Sequence, residues 1–130
     1  KWAIAVYWPE TPPRIYWDEE YAKTTRFKGI ITPPDFNPFA WPVERERPQG
    51  PTLAPPQGSG VGTRGMNGGQ TDTYVTPMRA GDVISTSTAL VDWYERRGRL
   101  GLTLFTVTEI RWTNQKGDLV KSRRSIGIRY

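Results

Sequence analysis

Residues 8 to 36 read WPETPPRIYWDEEYAKTTRFKGIITPPDF. The sequence after them reads mostly as sheet, and this stretch reads as a lid laid against that sheet. Asp18, Glu19, Glu20, Tyr21 and Ala22 form a helix start. Asp18 can accept from the free backbone N–H groups of the first turn, and the two glutamates favour its positive end. Lys23 to Lys28 carry the helix to its end near Gly29. Ile30-Ile31-Thr32 is then a short apolar run stopped by Pro33 and Pro34, neither of which has a backbone N–H to donate.

With 130 residues the chain suits one domain spanning 1–130. It has no cysteine, so disulfides, thiolate nucleophiles and zinc–cysteine sites are excluded, and the composition fits a reducing cytoplasm. It has no histidine either. Histidine is the commonest general base and metal ligand, so any proton chemistry here must use carboxylate, tyrosine or lysine. Eighteen Lys and Arg against 13 Asp and Glu give a net charge of +5. The cations crowd the C-terminal half at Arg96, Arg97, Arg99, Arg111, Lys116, Lys121, Arg123, Arg124 and Arg129. That pattern fits either a phosphate-bearing or acidic partner or a solvated basic face. No apolar run reaches the roughly 18 residues of a membrane span, so the expectation is a soluble, cytoplasmic chain with no membrane partner.

Lys1 to Trp8 reads as an apolar strand or as the end of a helix, since periodicity over so few residues does not decide. From about 33 to 69 prolines and then glycines dominate, which predicts a long flap without a helix of useful length. Phe36, Phe39 and Trp41 sit in it and would anchor it, or plug the edge of a core. Strands are expected at Gln70–Thr76, Val83–Tyr94, Leu100–Thr113 and Leu119–Tyr130. Arg79-Ala80-Gly81-Asp82, Glu95 to Arg99 and Asn114 to Asp118 supply the connections of an antiparallel meander. In the third strand Leu102, Leu104, Ile110 and Trp112 share one face while Phe105 and Val107 take the other. Two apolar faces need two covers, which points to a helix on one side and a partner sheet or the flap on the other.

The pieces RIYWDEEYAKTTRFKGIITPP, PMRAGD, YERRGRLG and TNQKGDLV, in this order, resemble the MaoC-like dehydratase family, specifically its FAS1-like N-terminal dehydratase module. The likeness spans most of the chain. It implies an α+β hot-dog fold, a bent antiparallel sheet wrapped around a central helix that is here shortened or missing. It also implies work on 2-enoyl thioesters of coenzyme A or a carrier protein, with the thioester as substrate and no cofactor or metal.

Active members of that family share a motif of the form Asp-x-Asn-Pro-x-His-x-Asp. Laid on it, this chain has Thr11 at the water-activating Asp, Tyr16 at the His and Asp18 at the last Asp. A glycine whose backbone N–H holds the thioester oxygen in active members is replaced here by Pro33 or a neighbour, which removes the donor. The resemblance therefore implies no catalytic residue in this chain. It implies the noncatalytic half of a 2-enoyl-CoA hydratase, shaping the pocket for a bulky acyl-CoA such as a steroid side chain, while a catalytic hot-dog partner carries Asp and His. Candidate substrate-binding residues are Phe36, Phe39 and Trp41 for the acyl group, with Arg64, Arg79, Arg97 and Arg99 for coenzyme A phosphates. Two other readings stand beside this one. The first is a scaffold or dimerisation module that recruits another acyl-CoA enzyme. The second is single-stranded nucleic-acid binding, drawn from the basic balance and six tryptophans and opposed by Trp93 and Trp112, which sit among strand residues as core would.

Overall fold

The computed structural model describes residues 1–40, 60 and 62–130. In chain order the elements are helix α1 (Trp2–Tyr7), a 3-10 turn at Arg14–Tyr16, helix α2 (Glu19–Thr24) and a 3-10 turn at Pro38–Ala40. Strands β1 (Gly65–Tyr74), β2 (Ser85–Gly98), β3 (Gly101–Thr113) and β4 (Leu119–Arg129) follow. The four strands form one antiparallel sheet in the order β1-β4-β3-β2, and the described helices are short, as the α+β hot-dog expectation requires. Trp41 and the rest of the Pro/Gly-rich flap at 41–59 and 61 lie outside the described residues.

Asp18 caps α2 as expected, its Oδ1 accepting from the Tyr21 N–H at 3.0 Å. Arg14 grips the other carboxylate oxygen with Nε at 2.9 Å and Nη2 at 2.7 Å. The helix ends at Thr24, earlier than the sequence suggests. The Thr24 and Thr25 hydroxyls donate to the Tyr21 and Ala22 carbonyls, each at 2.7 Å, and such local bonds compete with helix continuation. The opening apolar segment resolves as helix α1.

Three strands form the expected meander, and the first departs from it. β1 pairs with β4, Arg64 and Tyr130 exchanging backbone bonds of 3.1 and 3.0 Å and Val75 N–H reaching the Val120 carbonyl at 2.9 Å. β1 also starts at Gly65, inside the stretch read as loop. Glycine is there because the neighbouring strand is close: a Cβ on Gly68 would stand 2.8 Å from Ile126 Cγ2 and 2.9 Å from Ile128 Cδ1. β2 likewise runs past Tyr94 to Gly98, the tight turn falls at Arg99-Leu100, and Gly101 takes the left-handed conformation (φ 86°). The turn before β4 is held by Asn114, whose Oδ1 accepts from the Lys116 and Asp118 N–H groups at 2.9 and 3.0 Å.

The described residues fall into two compact units. One comprises 1–40, Tyr74–Ser85 and Trp112–Lys121; the other comprises 60, 62–73, Thr86–Arg111 and Ser122–Tyr130. The first has an apolar core of Ala22, Ile31, Met78, Trp112 and Val120. In the second, Thr103 is the one buried residue among those described. Its sheet leaves Leu90 and Trp93 on β2 59% and 61% exposed, so Trp112 is core and Trp93 is not. Tyr94 stacks flat on Phe105 with centroids 4.8 Å apart. Arg123 pairs with Asp72 (2.6 Å), and Glu109 pairs with Arg124 (2.9 Å) and Arg111 (3.6 Å), so much of the basic C-terminal run is spent on neighbouring carboxylates.

Replacing Gly68 with Val should lower unfolding stability by about 1–3 kcal/mol through overpacking against β4. Gly60→Ala, with nothing within 4 Å of the added Cβ, should leave the thermal midpoint where it is. Equal midpoints for the two variants would contradict the close β1–β4 approach. The Asp18 carboxyl is held below the ordinary range first by the Tyr21 N–H and then by Arg14, and Glu109 first by Arg124. A lowered folded value means the stabilisation is complete above the ordinary carboxylate pKa and is lost as pH falls through the folded value. Melting midpoints should therefore drop below about pH 4, less steeply in Asp18→Asn, which keeps a cap without the charge.

Candidate functional site

The turn between β1 and β2 and the proline pair build the site. Thr32 N–H donates to the Met78 carbonyl at 2.9 Å, which ties the Ile30–Thr32 run to the Pro77–Asp82 connection. Arg79 closes the same seam from the side, its Nη2 donating to the Phe27 carbonyl while its own N–H donates to Asp82 Oδ2 at 2.8 Å. Gly81 supplies the left-handed residue of this turn (φ 89°). The chain leaves Thr32 through Pro33, which is buried, and Pro34, and Phe36 N–H turns back to the Pro33 carbonyl at 3.0 Å.

Against this seam lies a cavity of about 330 Å³, lined by Trp2, Tyr16, Ile31, Pro33, Phe36 and Arg79 among others. Trp2 meets Phe36 edge to face at 5.8 Å, which fixes Phe36 in the wall. Two of the seven residues proposed from sequence for ligand contact, Phe36 and Arg79, thus meet in one cavity. Phe39 belongs to the first unit but lies outside this lining, and Arg64, Arg97 and Arg99 belong to the second unit. Trp2 and Ile31 are not among those candidates; α1 brings Trp2 to the wall, and a short apolar run beside prolines gives no separate signal for Ile31.

The positions laid on the family motif's catalytic residues hold Thr11, Tyr16 and Asp18. Tyr16 is in the cavity wall, and its hydroxyl is pushed above the ordinary tyrosine value by burial, with a hydrogen bond and charge repulsion from Tyr7 adding to it. A phenol titrating above its usual range stays protonated at neutral pH and is no general base. Asp18 is committed to the helix cap and Arg14, and Thr11 is exposed. Around the prolines, the N–H groups of Thr32 and Phe36 are used internally and Pro33 and Pro34 have none, so these four offer no donor to a developing oxyanion. Among the described residues no three of the His, Cys, Asp and Glu type gather as a metal site, and no helix is long and apolar enough to cross a membrane.

Residues 1–123 match the family described as the FAS1-like dehydratase domain region. No curated protein matches the sequence significantly. Solved structures are similar in fold. A chain of the ChsH1-ChsH2 complex from Mycobacterium tuberculosis superposes with TM-score 0.69 at 17% identity, covering 99% of this chain and 74% of that one. The MaoC-like dehydratase from Rhodospirillum rubrum gives 0.61 at 16% identity, covering 97% and 80%. The R-hydratase PhaJ1 from Pseudomonas aeruginosa gives 0.51 at 18%, covering 95% and 67%. With nearly its whole length matched, the chain belongs to the FAS1-like dehydratase family and has the MaoC-like hot-dog fold.

Proposed function

We propose that this chain is the noncatalytic half of a heteromeric 2-enoyl-CoA hydratase, shaping the acyl pocket while a hot-dog partner supplies Asp, His and the oxyanion donor. The observation that carries this is the cavity wall itself. Its motif positions hold a protonated Tyr16 and the buried Pro33, which can neither activate water nor hold an oxyanion. What remains is a largely apolar surface with Phe36 to meet a bulky acyl group, a steroid side chain included, and the Arg79 guanidinium to meet phosphate or thioester oxygens. Phe39 and Trp41 are further candidates for the acyl group, and Arg64, Arg97 and Arg99 for coenzyme A phosphates, without being placed at this cavity.

The sheet of the second unit supports a partner. Leu90, Trp93 and Leu100 are more than half exposed, and burying such side chains is worth about 1.5–3 kcal/mol each. Another hot-dog sheet is the cover suggested by the heteromeric ChsH1-ChsH2 relative. The acyl-CoA substrate, a cytoplasmic setting and the absence of any resident cofactor belong to this same reading.

Co-expression with histidine-bearing hot-dog chains of the same organism should yield a stable pair that consumes 2-enoyl-CoA, followed by loss of absorbance. In that pair Tyr16→Phe should keep kcat within about twofold, because the hydroxyl moves no proton. Ile31→Trp, which fills the cavity, should lower kcat/KM by about tenfold or more for bulky acyl groups. A loss of kcat of about a hundredfold in Tyr16→Phe would overturn the noncatalytic role.

A further inference from the structure

Strand register brings one terminus of each strand to the same end of the second unit's sheet. Arg64 and Tyr130 exchange backbone bonds, so β1 begins where β4 ends. The Thr106 hydroxyl donates to the Gly127 carbonyl at 3.4 Å, and Tyr94 stacks on Phe105, which brings the start of β3 and the close of β2 to that end as well. Arg64, Arg96, Arg97, Arg99 and Arg129 all fall there, and all are exposed. Residues 62–66, 93–104 and 127–130, which make up this end, hold Glu95 as their one carboxylate side chain.

Elsewhere on β4, Arg123 and Arg124 are spent on Asp72 and Glu109. Among the described residues none of the arginines at the sheet end has such a partner; Arg96 lies instead over the Tyr94 ring, 5.1 Å from its centroid. Exposed ion pairs contribute little to a fold, and like charges gathered on neighbouring strands repel. The cluster therefore adds nothing to this chain's own stability, and it projects a positive field outward.

Two apolar side chains sit among these cations. Trp93 is 61% exposed and by alternation shares a face of β2 with Arg97, while Leu100 in the tight turn is 59% exposed. Exposed tryptophan beside arginine is the composition of an interface centre. β1 and β2 are the outer strands of the sheet, roughly 14 Å apart at about 4.8 Å per strand spacing. A single phosphate group does not bridge that width, whereas a protein surface does. A second copy of this chain would bring the same charge of +5 and the same cations, and is repelled.

We propose that this end of the sheet docks an acidic surface of the hot-dog partner, with carboxylates facing Arg97, Arg99 and Arg129 around Trp93 and Leu100. Resting on the heteromer reading above, this contact adds the charge by which the partner is recognised. Arg64 and Arg96 broaden the field that steers encounter.

The co-expressed pair, titrated by calorimetry at low and high salt, tests it. Its Kd should rise by about tenfold or more between about 50 and 500 mM NaCl. Arg97→Glu combined with Arg99→Glu, checked for native circular dichroism, should weaken the pair by about tenfold or more and flatten that salt dependence. Lys28→Glu combined with Lys116→Glu makes the same change of net charge within the first unit, and should leave the Kd within about twofold. A Kd indifferent to salt, or moved equally by the two double variants, would overturn the acidic contact while the heteromer stands. Competition by free coenzyme A would assign the arginines to its phosphates and overturn the contact too. If no histidine-bearing hot-dog chain pairs at any ionic strength, the heteromer falls and this contact with it. The chain alone should need more NaCl to leave a polyglutamate column than the Arg97 and Arg99 variant does, with the Lys28 and Lys116 variant close to the unaltered chain; equal elution of the two double variants counts against the proposal. Should the arginine variant not fold, the salt dependence of the unaltered pair and the coenzyme A competition decide.

Discussion

The hydrogen bond from Thr32 N–H to the Met78 carbonyl, with two prolines directly behind it, is the constraint on which the site depends. It closes the lid onto the connection between β1 and β2 by a single backbone bond. The next two residues cannot continue that ladder, because proline has no donor. The chain must turn away, and in turning it leaves Ile31, Thr32 and Pro33 in the wall of the cavity. The geometry that opens the cavity is also one in which Pro33 and Pro34 present no backbone N–H groups.

The chemistry left to this chain follows from that trade. Tyr16 remains protonated, Asp18 is committed to a helix cap, and the seam's own N–H groups are satisfied within the fold. In the proposed role such a surface would select a shape and exclude water without moving a proton. Two unequal halves can divide the labour in this way, since catalytic groups placed on one wall still act on a substrate seated against the other. The exposed apolar residues of β2, with the stacked Tyr94 and Phe105, are consistent with a chain that completes its burial against a partner.

Much of this is legible in the sequence, where local chemistry decides local structure. The Asp18 cap, the turns at Arg79–Asp82 and Asn114–Asp118, and the β2–β3–β4 meander follow from residue type and alternation alone. The helix ends early because two threonine hydroxyls compete for carbonyls, which propensity does not register. Glycines signal loops, so the sequence places the start of β1 too late; here Gly68 answers a close approach by Ile126 and Ile128 from a strand far along the chain. The pairing of β1 with β4 is equally non-local. Trp93 and Lys121 exchange their expected environments, one left exposed on an edge strand and the other buried. Of the candidate site residues, Phe36 and Arg79 are found by their neighbours in sequence, a flap aromatic and a turn arginine. Trp2 needs the packing of α1 against Phe36 to be seen.

The most direct measurement is the rate at which the purified chain, alone, hydrates a 2-enoyl-CoA, read as absorbance loss at high protein concentration. The account predicts a rate indistinguishable from buffer. A turnover of about 1 s⁻¹ or faster, within the usual enzymatic range, would contradict it.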